Sequence, residues 1–532
     1  MIKKRLLISA GFIAVLAVLV VLGILVGEPT AAPCDVIVPA ELIPQDEFYS
    51  LVTDDMKFIR NPGYVEGYQN PLTHLLIPQN PFMATNAQGN NMHCDAYMTD
   101  TYEVSGPLGI DPEIVSTYRG LAECATITFD SKGRIMTVCT DLRGPTLLLL
   151  DPHTLDELAS YTLPPRWAGV ATDPITPMKD TSGGAYFCLD NQDRAIIGTH
   201  NHTIQIIQFD EQECEFNLVR EYDIDDYVAP KDPPERDKVG AVLPDWEGRL
   251  WYVTRYGMVG TVDPDSGEVH AVELKGEEIQ NSFTVGEDGV YIMSDYAMYR
   301  FHADGSGAPV QDWRTEYDRG IQTKPGMINQ GSGTTPTLVG DLVANADNAE
   351  PRMNLFFLNR SDGSLVCSIP VFEAGLSCTD NSLIGLARPG TNGTEYSVIV
   401  ENNYGYENFG STCNGESTVG GVSRIDVVPN GSGGYTCIEI WTSPEISCTT
   451  VPKMSLGNGL IYLYTKDPRP DKVDAWYFTA VDFETGETVF KVLTGTGLGY
   501  NNNYAPITLG PDGGTAYVGT LNGMISIRDT AP

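Results

Sequence analysis

The sequence predicts an all-β fold, a β-propeller of eight four-stranded blades, on three observations. Eight times along the chain a β-rich run reaches a short polar turn and re-enters a second β-rich run. These turns centre on Asp141, His200, Arg255, Asp295, Asp347, Asn402, Lys466 and Asn522. The copies recur every roughly 40–60 residues, a strand-and-turn period that marks propellers. No long stretch outside the N-terminus has a 3.6-residue apolar period, and 54 Gly and 35 Pro supply turns. Seven blades is the alternative count, because the segment 382–441 is long and 281–313 is thin.

At 532 residues with 42% hydrophobic content the chain can bury one large core. Its organisation reads as a membrane anchor or signal segment over 1–27, a linker over 28–35, an irregular cap over 36–120 and the propeller over 121–532. The N-terminus carries Lys3, Lys4 and Arg5, then 21 uncharged residues from Leu6 to Val26. That length suits a helix crossing a bilayer, and the basic flank keeps the N-terminus cytoplasmic and exports the remainder. The expected location is therefore the cell membrane, with the propeller on the periplasmic or extracellular side. Secretion after cleavage near Thr30-Ala-Ala32 is the alternative. Eleven cysteines without a Cys-x-x-Cys suit an exported protein with disulfides and give no support to a zinc ribbon or thioredoxin site. The odd count leaves at least one thiol free.

Each predicted blade has the β-branched and aromatic alternation of half-buried strands. The clearest copies are Thr515-Ala-Tyr-Val-Gly-Thr520 with Met524-Ile-Ser-Ile-Arg528, and Arg194-Ala-Ile-Ile-Gly-Thr199 with Thr203-Ile-Gln-Ile-Ile-Gln208. The last blade is one strand short, so the N-terminal side, within 95–120 or earlier, is expected to lend the closing strand and remove an exposed edge.

Two of these runs, Ala480-Val-Asp-Phe-Glu-Thr-Gly-Glu-Thr-Val-Phe-Lys491 and 515–528, resemble repeats of the quinoprotein-type (PQQ-like) propeller superfamily. The resemblance implies the fold more than the chemistry. Quinone dehydrogenases of that superfamily carry a repeated Trp-Gly docking motif and often an adjacent Cys pair. None of the six Trp here (167, 246, 251, 313, 441, 476) precedes Gly, and no Cys-Cys occurs. Bound PQQ is accordingly not expected.

A net charge of −37 argues against nucleic acid as a partner. It favours a solvated acidic surface or a cationic partner. The eight turns lie between the second and third strands of their blades, so they share one face of the disc. That places a ring of polar groups there, including His200, His202, Arg255 and Arg352 as candidate ligand-binding residues, with His93 reaching the channel mouth from the cap. Asp347, Asn348, Glu350, Glu401, Asn402 and Asn403 form an oxygen-rich subset suited to Ca²⁺, which takes six to eight oxygens. The carboxylates of Asp347 and Glu401 are expected to face the axis with an ion or Arg352 between them. His200 and His202, two residues apart, would face one way on an extended segment and could hold a metal with His93. The functional expectation is a binding propeller for a small molecule, polymer or protein. The alternatives are a Ca²⁺-dependent hydrolase or lyase and a quinoprotein-type oxidoreductase. Nucleophile-elbow, zincin, P-loop and haem-attachment motifs are absent.

Overall fold

A computed structural model describes residues 39–44, 52–141, 143–166, 180, 182–230 and 236–530. The expected anchor or signal segment, 1–27, lies outside the described residues. Within them, no helix is long and apolar enough to cross a membrane.

Eight sheets of four antiparallel strands stand around a central axis, and the seventh gains Phe58–Arg60 at its outer edge and Thr101–Tyr102, in parallel, at its inner edge. Blade 1 runs Glu123–Phe129, Ile135–Asp141, Gly144–Leu150 and Glu157–Thr162 from the axis outward. Blades 2 to 7 begin on the inner strands Cys188–Leu189, Val239–Pro244, Thr284–Gly286, Thr337–Val339, Ile384–Gly390 and Lys453–Ser455. Blade 8 begins on Ile507–Leu509, and its fourth strand is Pro112–Ser116, paired antiparallel with Gly523–Asp529. The ring is therefore closed by the N-terminal side, and eight is the blade count. Where blade 8 meets blade 1, a Cβ on Gly519 would lie 1.9 Å from the carbonyl oxygen of Cys124. Only glycine permits that approach.

Local chemistry repeats in the first three blades. Asp130, Asp190 and Asp245 each accept the backbone N–H two and four residues on, which folds the hairpin between the first and second strands. In blades 1 and 2 the Arg four residues on returns to the same carboxylate, Arg134 at 2.7 Å and Arg194 at 2.6 Å. Apolar side chains then fill the wedges between blades. Trp251, Val259 and Leu243 of blade 3, for example, share one cluster with Ile204 and Tyr222 of blade 2 and Val290 and Phe301 of blade 4.

Residues 61–110 do more than cap the disc. They form a strap bonded to all eight blades. Gln88 Nε2 donates to the Phe129 carbonyl of blade 1 at 3.0 Å, and Ala84 and Asn90 pair with Leu189 of blade 2. Asn80 Nδ2 donates to Pro244 of blade 3. The strap then turns along the axis, where the carbonyls of Ala96, Tyr97, Thr99 and Asp100 accept from Val285, Leu338, Gly385 and Met454 of blades 4 to 7. Leu108 and Ile110 end it on the Asp529 carboxylate of blade 8. Between Asn90 and Tyr102 every residue is buried, so this stretch is an axial plug.

Two disulfides between described residues brace the disc. Cys124–Cys139 joins paired strands within blade 1, and Cys367–Cys437 joins the outer strands of blades 5 and 6. Cys94, Cys188, Cys378, Cys413 and Cys448 are free thiols. The rim disulfide closes a 70-residue loop. Cys367→Ala/Cys437→Ala is expected to lower unfolding free energy by about 2–4 kcal/mol in denaturant titrations, chiefly by freeing the unfolded chain. A variant matching the wild type would show that neighbouring blades need no covalent tie.

Candidate functional site

The polar turns do lie between second and third strands in every blade, on one face. Their side chains, however, are largely consumed by local structure rather than presented to a common ligand. Asp347 accepts from the backbone N–H of Asn354 at 2.6 Å and its side-chain amide at 2.7 Å, within its own hairpin. Burial pushes its pKa up to about 6. Asn348 donates to the carbonyls of Arg319 and Gln322. Glu350 is exposed. Asn402 holds the Cys378 and Tyr404 N–H groups and donates to Leu376, while Asn403 receives Thr379 and Asp380 and donates to Cys448. Glu401 accepts from Asn381 and from Asn403, and burial lifts its pKa to about 8.

The expected meeting of Asp347 and Glu401 is not what these bonds describe, because each carboxylate is held by amides of its own neighbourhood. Arg352 does not stand between them; it donates to the carbonyls of Pro370 and Val371. Among the described residues no group of three or more His, Cys, Asp or Glu is arranged to hold a metal ion.

The two turn histidines also part company. His202 takes a left-handed conformation, φ 63°, so the pair is not on an extended segment. His202 Nε2–H donates to the Asp237 carbonyl at 2.7 Å and its Nδ1 meets Asp225 at 2.6 Å. His200 turns to Asp180, 3.6 Å away, and burial lowers its pKa. Asp180 also binds Lys238 at 2.6 Å. Arg255 pairs with Glu278 at 3.0 Å across the face. His93 is carried by the axial plug and joins neither of them.

What sequence reasoning missed is the polar centre that the plug makes on the axis. Asp100 of the plug, wholly buried, meets Lys453 Nζ from the inner strand of blade 7 and the Ser382 hydroxyl from the entry to blade 6. His93 Nδ1 lies 3.2 Å from both carboxylate oxygens and 3.0 Å from Ser382 Oγ. Burial alone would raise the Asp100 pKa; Lys453 and His93 outweigh it and hold it below the usual carboxylate value. Ser and Asp both approach the same ring nitrogen, so this is not a relay in which Ser and Asp flank opposite nitrogens of the imidazole. The other nitrogen, Nε2, has no hydrogen-bond partner among the described residues. The His93 side chain also lines a narrow crevice with Asn91, Met92, Tyr186, Phe187, Leu243 and Ser282. Nearby Asp95 is also buried, with its pKa raised by burial to about 7, and Thr99 bonded to it. One signal was available: Lys453 opens an inner strand, where a cation needs a buried partner.

No protein family's sequence profile matches the chain. An uncharacterized protein of Archaeoglobus fulgidus is 25% identical over 322 residues, covering 52% of this chain and 58% of the relative. The chain thus spans a little over half the length of the curated relative it matches. Among solved structures, the quinohemoprotein alcohol dehydrogenase of Comamonas testosteroni is similar at a TM-score of 0.50, with 10% identity over 83% of this chain and 80% of that one. BamB from Moraxella catarrhalis aligns at a TM-score of 0.36, with 12% identity over 63% of this chain and 93% of that one. At such identities the first likeness speaks to the propeller fold alone.

Proposed function

We infer that this chain is an exported, membrane-anchored propeller that works as a binding scaffold, engaging a cationic partner on the disc face that carries the eight turns. The observation that carries this reading is the axial plug. Residues 90–102 fill the channel and are hydrogen-bonded to inner strands on several sides, which leaves the outer face rather than the channel for recognition. On that face Asp318, Glu350, Glu373, Glu407 and Glu416 are exposed. The net charge of −37 adds long-range attraction for positive charge that salt screens.

The test uses the full-length protein in membranes and a lysine-rich peptide as probe. Binding should weaken steeply between low and physiological salt, and Glu350→Gln/Glu373→Gln/Glu407→Gln/Glu416→Gln should remove most of it. Binding that ignores both salt and these four substitutions would end the scaffold reading. The two enzymatic readings have their own readouts on the same sample. A bound quinone in the absorbance spectrum would restore the oxidoreductase, against which the missing Trp-Gly motif and the filled channel weigh. A rise in melting temperature with Ca²⁺, lost in Asp347→Ala/Glu401→Ala, would restore the ion-dependent hydrolase.

A further inference from the structure

We propose that blades 6 and 7 carry a carboxylate-binding subsite on the propeller axis, which Asp100 occupies in cis, so that the strap acts as a built-in ligand of a site able to take small carboxylates.

Two of the three donors belong to the blades, whereas the third, His93 Nδ1, and the acceptor belong to the strap. Lys453 Nζ and Ser382 Oγ come from the inner ring, whereas Asp100 arrives from a strap 353 and 282 residues away in sequence. One cation and one hydroxyl reach the two carboxylate oxygens separately, Lys453 on Oδ1 and Ser382 on Oδ2. That pattern matches a planar monoanion with two oxygens. A sulfate or phosphate would bring four oxygens and up to two negative charges to one lysine in a dry site, which burial disfavours.

The occupant is held under backbone strain. Cys94, Met98 and Asp100 have φ of 75°, 56° and 56°, a left-handed conformation uncommon for non-glycine residues. A stretch of seven residues with three such positions persists only where its contacts over-determine it, and the carboxylate is the one buried charge that the stretch delivers to Lys453. Beside the subsite one imidazole nitrogen is without a hydrogen-bond partner among the described residues. His93, 2% exposed, has both Asp100 and Ser382 on Nδ1 and no partner on Nε2 among the described residues, and its ring lines the crevice. A carboxylate carrying a small polar group would find an acceptor there. The inference does not depend on what the acidic face binds.

Asp100→Gly removes the carboxylate and relieves the left-handed strain at once, leaving Lys453 and Ser382 facing a vacated space. The full-length variant would be melted in sodium formate and in sodium chloride at equal ionic strength, with sodium sulfate as a third arm. Formate should raise its melting temperature saturably, by about 1–2 °C at ten times the dissociation constant. Wild type, whose subsite is filled, and Asp100→Gly/Lys453→Met, which lacks the cation, should show no formate-specific rise. Equal effects of formate and chloride on Asp100→Gly, or an undiminished rise without Lys453, would overturn the proposal. A sulfate effect equal to that of formate would do the same, since it would mean a general anion effect. Should Asp100→Gly not refold in chloride, refolding yield becomes the measure. Recovery in formate alone supports the subsite, and equal yields overturn it.

Discussion

Lys453→Met alone is expected to cost about 3–5 kcal/mol of unfolding free energy, because it strands the Asp100 carboxylate in a dry interior. Both side chains of the pair have no solvent exposure. Asp100→Asn/Lys453→Met should recover most of the loss. Asn tolerates the left-handed backbone, keeps an oxygen for Ser382 and brings no charge, so neither partner is left uncompensated. The double-mutant cycle in denaturant isolates the pair, since the two residues touch and their effects cannot be additive. Single variants each within 1 kcal/mol of wild type would mean that Asp100 is neutral in the folded protein. They would also remove the charge on which the axial subsite rests. Because Asp100 sits in the strap and Lys453 in blade 7, the same measurement reports how firmly the plug is seated.

The ring itself was legible because its signals are local. Each turn between second and third strands announces itself by polar residues between two β-rich runs. The missing strand of blade 8 announces that another segment must close the ring, and Pro112–Ser116 does so. The strap was not legible, for a physical reason. It binds the blades mainly through its backbone, at Ala96, Tyr97, Thr99 and Asp100, and backbone carbonyls leave no mark on residue choice. Its left-handed positions fall on Cys94, Met98 and Asp100, of which only Asp hints at that conformation. The site ring is ambiguous in sequence because polarity in a turn has two uses. Asp347 and Asn402 look like ligands in sequence, yet their acceptors are spent on neighbouring N–H groups of Asn354 and Cys378. Residue type identifies an oxygen donor, but only packing decides which hydrogen it faces.

The melting temperature is expected to be highest near pH 5 and to fall as pH rises towards 8. Burial raises the pKa of Asp95 to about 7, Glu401 and Glu123 to about 8, and Asp347 to about 6. In the unfolded chain these groups titrate near 4. Between roughly pH 4 and 8 the folded state therefore holds protons that the unfolded state has released. Stability must fall with rising pH across that window and level off above it. Asp100 and Asp180 act oppositely. Their folded pKa values are depressed, Asp100 by Lys453 and His93, and Asp180 by His200, Arg166 and Lys238, in each case against burial. Their contribution is present above about pH 4 and is lost as pH falls below it, so the two sets together place the optimum on the mildly acidic side. Glu401→Gln separates this from a general charge effect. Glutamine imitates the protonated acid and keeps an oxygen for the amides of Asn381 and Asn403. The variant should match wild type at pH 5, exceed it at pH 8, and flatten the profile between them. A wild-type profile that rises from pH 5 to 8, or a Glu401→Gln variant less stable than wild type at pH 8, would mean that Glu401 is ionised in the folded protein. The amide pair of Asn381 and Asn403 would then be an anion cradle rather than a neutral hydrogen-bond network.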